Sequence, residues 1–444
     1  MISRIKHLLH RNRHRERYAL LDELLRNQSL SNEQLHRKQQ EDLSAIIDHA
    51  FSNVPYYREM WERHPGRESL NSRPGGRSHN AVRTVNSLPI LRKDDVIQHR
   101  NEMLAQGLDR SRLKIGNTGG STGKPVSFYY DAHKGELMRA GMCRSYMGSG
   151  WKPGQKILNF WGARQDIKGG NRFSKIVNDA IAAEKTIAAY EYTEAQLHDW
   201  ASAIRSYQPV LLQGYASILA ELARHVIDNK IRMPDTLLGV FSTAEVLYGW
   251  QRELMERAFG CKVFNQYGSR EIPNIACECR HGNQHIFTDM VYLESLNFDQ
   301  EDRLVITSLT NRVMPFIRYE IGDSGRLKEG ICDCGSPFPM MEMGLCRSND
   351  IIKTRSGKSI YPSYFIHLLD GLDGIKQYQF IQSEPDKITL NLVSPSSLSA
   401  ETLNSLRARV RRDVDENMVL EINAVDEIKR TVSGKHRFVI SNLA

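Results

Sequence analysis

The sequence predicts an α/β protein of two domains, a large layered α/β N-terminal domain over residues 1–345 and a small α+β C-terminal domain over 346–444. Three observations carry this. From about residue 150, short apolar runs alternate with helical segments, the pattern of a mostly parallel, layered sheet. Residues 285–309 read instead as antiparallel β structure ending in RLVITSL. Near residue 346 the character changes to a hairpin, a helix and a strand within about 100 residues, enough for a separate domain.

The chain starts with MISRIKHLLHRNRHRER, basic and without the long apolar run or small-residue cleavage site of a secretory signal. Ile2, Ile5, Leu8 and Leu9 fall on one helical face with Arg and His around them, able to touch an anionic membrane or a partner. A frayed, solvated helix is the plainer alternative. Residues 18–64 read as helices with Leu20, Leu21, Leu24 and Leu25 as an apolar stripe. Residues 65–86, with two prolines and three glycines, read as a mobile loop. Lys156–Trp161, Pro209–Gln213, Leu237–Phe241 and Cys261–Phe264 read as buried strands. Between the last two, a helix carries Leu247, Trp250, Leu254 and Ala258 on one face. In the second domain, IKQYQFI and KITLNLV form a hairpin joined by Ser383-Glu384-Pro385-Asp386. A helix with Leu403, Leu406, Val410 and Val414 follows, then the strand VLEINAV and the basic tail KRTVSGKHRF.

Composition narrows the class. The chain has 444 residues, 40% hydrophobic and 25% charged, as in an ordinary soluble globular protein, and no apolar run reaches bilayer-spanning length. A net charge of +8 permits nucleic-acid contact, but no nucleic-acid motif accompanies it, and no nucleic-acid partner is expected. A basic cleft also suits a polyphosphate such as ATP. Seven cysteines, four of them in two Cys-x-Cys pairs, point to a reducing cytoplasm rather than a disulfide framework.

Four polar motifs punctuate the layout. Thr118-Gly119-Gly120-Ser121-Thr122-Gly123-Lys124 offers three glycines, three hydroxyls and a lysine in seven residues. Glycines let backbone N–H groups approach oxyanions closely, and the hydroxyls add donors. It is not a Walker loop: Thr118 stands where the first glycine belongs, and Pro125 follows the lysine where a Mg²⁺-binding hydroxyl is needed. The others are Asn265-Gln266-Tyr267-Gly268-Ser269-Arg270-Glu271, Arg318-Tyr319-Glu320-Ile321-Gly322-Asp323 and Thr431-Val432-Ser433-Gly434-Lys435-His436-Arg437.

In this order and at these separations the motifs resemble the adenylate-forming superfamily of acyl-CoA synthetases. The resemblance is nearest to phenylacetate-CoA ligase-like proteins, including relatives found with capsular and exopolysaccharide genes, and runs from about residue 40 to the end. It implies an ATP-dependent, AMP-forming ligase that joins a small-molecule carboxylic acid to the α-phosphate, then passes the acyl group to CoA or another acceptor. The cofactors implied are ATP/AMP and Mg²⁺, and association as a homodimer is allowed for. On this resemblance residues 118–124 grip the β- and γ-phosphates, Glu271 contacts Mg²⁺, and Tyr267 lies against adenine with Gln266, Gly268 and Ser269 beside it. Ser242, Thr243, Ala244 and Glu245 line the adenine side, Asp323 accepts from the ribose hydroxyls, and Arg347 sits near ribose or phosphates. Lys435 is the mobile catalytic lysine of the second domain. Pocket residues for the acid are expected from 159–162, 213–216 and 267–275. Two positions depart from the pattern. Arg270 replaces the usual Thr, and the hinge reads Cys346-Arg347-Ser348-Asn349, which leaves open a catalytically reduced binding or scaffold protein.

Residues 277–285 read CECRHGNQH and 332–335 read CDCG. Cys279, His285, Cys332 and Cys334 complete a four-ligand set suited to structural zinc, and the phenylacetate-CoA ligase-like relatives show a similar pattern. Cys277 and His281 remain alternative ligands at this stage.

Overall fold

The computed structural model describes residues 2–62, 85–118, 126–161, 183–189, 193–298 and 301–347, and most of 352–443. The loop expected over 65–86 lies almost wholly outside the described residues. The chain forms two compact units, residues 1–321 with 325–342, and 322–324 with 343–444.

The first unit opens on helices α1 (Ile2–Arg13), α2 (Arg15–Asn27), α3 (Asn32–Asn53), α4 (Pro55–Glu62) and α5 (Lys93–Gln98). Ser31 caps α3: its hydroxyl accepts from Gln34 N while the Gln34 side chain accepts from Ser31 N, which satisfies donors the helix start leaves free. Leu21 and Leu24 of the expected α2 stripe are buried, together with Tyr18, against half-buried Leu20 and Leu25. A short hairpin follows, β1 (Lys114–Asn117) with β2 (Ser127–Tyr130), and then α6 (Ala132–Met147), capped by Asp131.

Next come β3 (Ile157–Trp161), β4 (Glu184–Ala188), α7 (Glu194–Tyr207), β5 (Leu211–Tyr215), α8 (Ala216–Asp228), β6 (Gly239–Thr243), α9 (Gly249–Phe259) and β7 (Lys262–Tyr267). The five strands pair in parallel in the order β7-β6-β5-β3-β4. β3, β5 and β6 are almost wholly buried, as strands covered on both faces are, whereas the edge strand β4 is polar and largely exposed. One face packs Leu158, Leu212, Val240 and Val263 against Trp200, Ile204, Leu219, Met255 and Phe259. The other meets α6, where Tyr146 packs edge-on to Phe241 and Phe241 stacks on Phe264. The buried face of α9 is Gln251, Met255 and Phe259, one position round from the predicted stripe. Leu247, Leu254 and Ala258 pack partly buried beside it. A helix wedged between a sheet and α8 is covered over more than one stripe, so the strongest apolar spacing need not mark the deepest side.

The sheet continues antiparallel through β8 (Ala276–Glu278), β9 (Gln284–Ile286), β10 (Val291–Phe298), β11 (Glu301–Ser308), β12 (Tyr319–Lys328) and β13 (Met340–Arg347). Its eleven strands run β10-β11-β12-β13-β9-β8-β7-β6-β5-β3-β4. The predicted antiparallel stretch is therefore present.

The second unit has the small ladder β14 (Ile352–Lys353) with β15 (Ser359–Ile360), then β16 (Gln377–Glu384), β17 (Lys387–Val393), α10 (Ala400–Asp413), β18 (Val419–Ala424) and β19 (Val439–Ser441). The four longer strands order β18-β17-β16-β19, and Phe380, Leu390 and Leu420 pack with Leu406 and Val410 of α10. The α/β class with a smaller α+β unit is as predicted.

Lys134, in the first turn of α6, is buried, and its ammonium donates to Thr310 Oγ1. Burial pushes its pKa from 10.5 down to about 7, against the pull of Asp131. Between these values the unfolded chain binds more protons than the folded one, so this group makes stability rise with pH across about 7 to 10.5. Lys134→Met is expected to stabilise the protein below pH 7 by a few kcal/mol, with the difference closing as pH rises. Thermal unfolding of both forms at neutral and alkaline pH checks this; parallel curves would contradict it.

Candidate active site and metal centre

The Gly-rich segment lies between β1 and β2 in the sequence. Residues 119–125 lie outside the described residues, but the neck that presents them is defined. Thr118 N donates to Val126 O and Val126 N donates to Thr118 Oγ1, both at 2.8 Å. Below them Ser127 Oγ donates to Asn117 Oδ1 at 2.6 Å.

The second motif leaves the end of β7. Tyr267 is nearly buried, and Ile275 N returns to Tyr267 O at 3.1 Å, closing a tight loop. Ser269 braces it: Ser269 N donates to Ile272 O and Ile272 N donates to Ser269 Oγ. Gly268 must be glycine, because a Cβ there would stand 2.9 Å from Asn274 N. Asn274 has φ +56° and donates to Met138 O, which locks the loop to α6. Arg270, at the position expected to hold Thr, donates to Asn117 O at 3.1 Å. It thereby ties this loop to the hairpin neck, 153 residues away. Glu271 is buried and accepts from Tyr319 OH at 3.2 Å, so the second and third motifs meet.

Arg318, beside Tyr319, was part of a motif but had no role in the sequence reading. Its guanidinium makes a buried fork with Glu294, at 3.1 and 2.9 Å, and donates to the Asn86 and Leu88 carbonyls. Its φ of +49° lies in the left-handed region, a strain that this network holds in place. Asp323 follows Gly322, φ +83°, within β12 and belongs to the second unit.

On the parallel strands, Ser242 is fully buried at the end of β6, and its Oγ has no hydrogen-bond partner among the described residues. A buried hydroxyl left unpaired costs on the order of 1–3 kcal/mol, which suits a position that meets a polar ligand. Ala244 has φ +69° in the turn that follows. Glu245 accepts from Ser217 N at 2.7 Å, at the start of α8, where a carboxylate offsets the helix dipole. Gln266 accepts from Gln213 Nε2 at 3.0 Å, and Gln213 Oε1 accepts from Tyr146 OH at 2.5 Å. Burial raises the Tyr146 phenol well above its ordinary range, so it stays a donor. Tyr146 escaped the sequence reading because nothing local marks a helix tyrosine as paired to a strand 67 residues on.

Arg347 ends β13 and its side chain is outside the described residues, as is Lys435. The residue after Lys435 is anchored. His436 is buried, its Nε2 bonds to Tyr378 O at 3.1 Å, and its ring packs on Phe438.

Cys279, His285, Cys332 and Cys334 bring their ligand atoms within 4.8 Å of one another. Cys279 Sγ is 3.6 Å from Cys332 Sγ, and His285 Nε2 is 3.2 Å from Cys334 Sγ. Tetrahedral zinc bonds place two sulfurs about 3.8 Å apart and a sulfur and nitrogen about 3.6 Å apart. Cys279 and the Cys332–Cys334 pair each lie in a turn closed on a glycine of positive φ, Gly282 at +77° and Gly335 at +75°. Asn283 Nδ2 and Ser336 N donate to Cys332 and Cys334 sulfurs, supporting thiolates. His285 Nδ1 lies 2.8 Å from Phe338 O; a carbonyl only accepts, so Nδ1 carries the proton and Nε2 presents its lone pair. Cys277 is not in the set: it is buried in β8, and its thiol, hydrogen-bonded to Ser145, is pushed up to about 12 by burial. His281 is exposed and likewise outside it. Behind the cluster, Arg144 is sandwiched against Phe287 and Phe338 and pairs with buried Asp289 at 2.6 Å.

The comparisons with known proteins agree with the resemblance read in the sequence. The CapK C-terminal domain family matches residues 352–442. Protein CapK of Staphylococcus aureus is 26% identical over 373 residues, covering 82% of this chain and 81% of that protein. A phenylacetate-coenzyme A ligase of Thermus thermophilus is 24% identical over 458 aligned positions, covering 93% of this chain and 98% of the relative. The same fold is seen in a crystal structure of 2-hydroxyisobutyryl-CoA ligase in the postadenylation state with an acyl-adenylate. The TM-score is 0.72 at 19% identity, over 94% of this chain and 92% of that one.

Proposed function

We propose that this chain, which shares the fold of the adenylate-forming CoA ligases and is similar to the phenylacetate-CoA ligases and to CapK, is an ATP-dependent, AMP-forming carboxylate ligase. The observation that carries the reading is the junction at Arg270 and Glu271. One residue ties the Tyr-Gly-Ser-Arg-Glu loop to the neck of the Gly-rich segment, and the next meets Tyr319 of the third motif. Three separated motifs are thus joined through a single loop, as a site holding one nucleotide requires.

In this reading the amides and hydroxyls of residues 118–124, with Lys124, hold the β- and γ-phosphates still. Tyr267 packs on adenine, flanked by Gln266, Gly268, Ser269, Ser242, Ala244 and Glu245. The Glu245 carboxylate is already committed to α8, so it shapes the wall rather than donating charge to the ligand. Asp323 accepts from the ribose diol, and Arg347 lies near ribose or phosphate. Mg²⁺, when bound beside Glu271, offsets phosphate charge. Lys435 places a cation between the acyl oxygen and the α-phosphate, where negative charge grows in the transition state. The cysteine and histidine cluster holds structural zinc, since four protein ligands leave no open position. The acceptor is CoA or another nucleophile, and the setting is cytoplasmic polysaccharide or secondary-metabolite biosynthesis. The buried relay of Tyr146, Gln213 and Gln266 makes part of the expected pocket wall polar.

The test is exchange of labelled pyrophosphate into ATP across a panel of aryl, acyl and amino acids. Acid-dependent exchange is expected for at least one class. Absence of exchange with every acid, together with no ATP binding by calorimetry, would mark the chain as a binding or scaffold protein instead.

A further inference from the structure

Helix α1 packs the wrong way round for a helix that only joins a core. The side it turns to the protein is a row of histidines. His10 Nδ1 lies 2.8 Å from Tyr18 OH, and the His7 and His10 rings pack edge-on to Tyr18. Burial, with His14 and Arg17 nearby, pushes His10 down to about 4, so this contact is made by a neutral ring. The leucines face outward instead: Leu8 is 63% exposed and Leu9 54%. At 100° per residue Leu8 and Leu9 bound one stripe. Arg13, one turn beyond Leu9, edges it on one side, while Arg11, one turn beyond Leu8, is held back toward the protein by Asp22 at 2.6 Å and lies over the Tyr18 ring.

We propose that α1 is an interfacial helix that docks this protein on an anionic lipid surface. Exposed leucines on a helix of strongly basic sequence are what lies in the plane of anionic headgroups. The leucines enter the acyl boundary, while Arg13 beside them reaches the lipid phosphates. The histidine side, held on Tyr18, keeps the helix from rolling. A second copy of this chain is a poor occupant, because the first 17 residues carry six Lys and Arg against one Glu, and apposing two such faces sets like charges together. No helix among the described residues is long and apolar enough to cross a membrane, so attachment is peripheral and reversible.

The test is co-sedimentation of the full chain with phosphatidylcholine vesicles, and with the same vesicles carrying about 30% phosphatidylglycerol. Binding to the anionic vesicles on the order of tenfold stronger than to the neutral ones is expected, with a similar loss in the Leu8→Gln/Leu9→Gln double variant, whose charge is unchanged. An unchanged thermal midpoint shows that the variant is folded. Equal or absent binding to both vesicles overturns the proposal. So does anionic binding that the double variant retains, which would be diffuse attraction to a basic protein. Concentration-dependent self-association abolished by the double variant would assign the stripe to a second copy and also overturn it.

Discussion

Lys435→Ala is expected to lower the rate of acyl-adenylate formation by on the order of 10²–10³-fold while ATP affinity changes little. The asymmetry follows from where the charge develops. On the proposed function the Gly-rich segment, with Mg²⁺, holds the triphosphate in the ground state, and one lysine more or less changes binding modestly. At the transition state a carboxylate oxygen and the α-phosphate share negative charge, and a fixed cation there acts on the barrier alone. Lys435 precedes His436, which is pinned to Tyr378 and Phe438 on the sheet of the second unit. A rigid base behind the lysine is what positioning a point charge demands. Pre-steady-state adenylate formation and calorimetric ATP binding on the same variant separate the two effects. Loss of ATP binding together with loss of the folded state would make Lys435 a structural residue instead.

Cys332→Ser is expected to release one zinc per chain and to destabilise the first unit by several kcal/mol, since structural zinc contributes binding free energy directly to folding. The sulfur–sulfur and sulfur–nitrogen separations already suit tetrahedral ligation, and His285 has the tautomer that ligation needs. The damage extends beyond the knuckle. Phe338, whose carbonyl fixes His285, also packs on the buried Arg144, and Arg144 neutralises Asp289 on the way to α2 through Asn27. Elemental analysis and thermal unfolding of parent and variant check this. Cys277→Ser is the control: its thiol points to Ser145, and metal content is expected to be unchanged. Parent protein with well below one zinc per chain would end the assignment.

β3, β5, β6 and β7 were legible because each carries a buried apolar run bounded by turns, whereas the edge strand β4, polar and largely exposed, gave no such signal. The β16–β17 hairpin and α10 were legible because each repeats its own period. The face of α9 was misjudged by one position because burial there is set by α8 and the sheet together, which no single helix encodes. Buried charges were invisible for a related reason. Lys134 and Arg144 look like surface residues until Thr310 and Asp289, 176 and 145 residues away, are brought beside them. Arg270 read as a departure from a family pattern, yet its reach to the hairpin neck gives the departure a purpose. The choice between Cys277 and Cys279 needed the backbone: one lies in a strand against α6, the other in a glycine-closed turn.

In the proposed reaction a carboxylate oxygen attacks the α-phosphate of ATP. With an acid that supports pyrophosphate exchange, labelled with ¹⁸O in its carboxylate, mass spectrometry of the products after acyl transfer follows that oxygen. AMP carrying one ¹⁸O and unlabelled pyrophosphate are expected. Label appearing in inorganic phosphate beside ADP would place the attack on the γ-phosphate and contradict it.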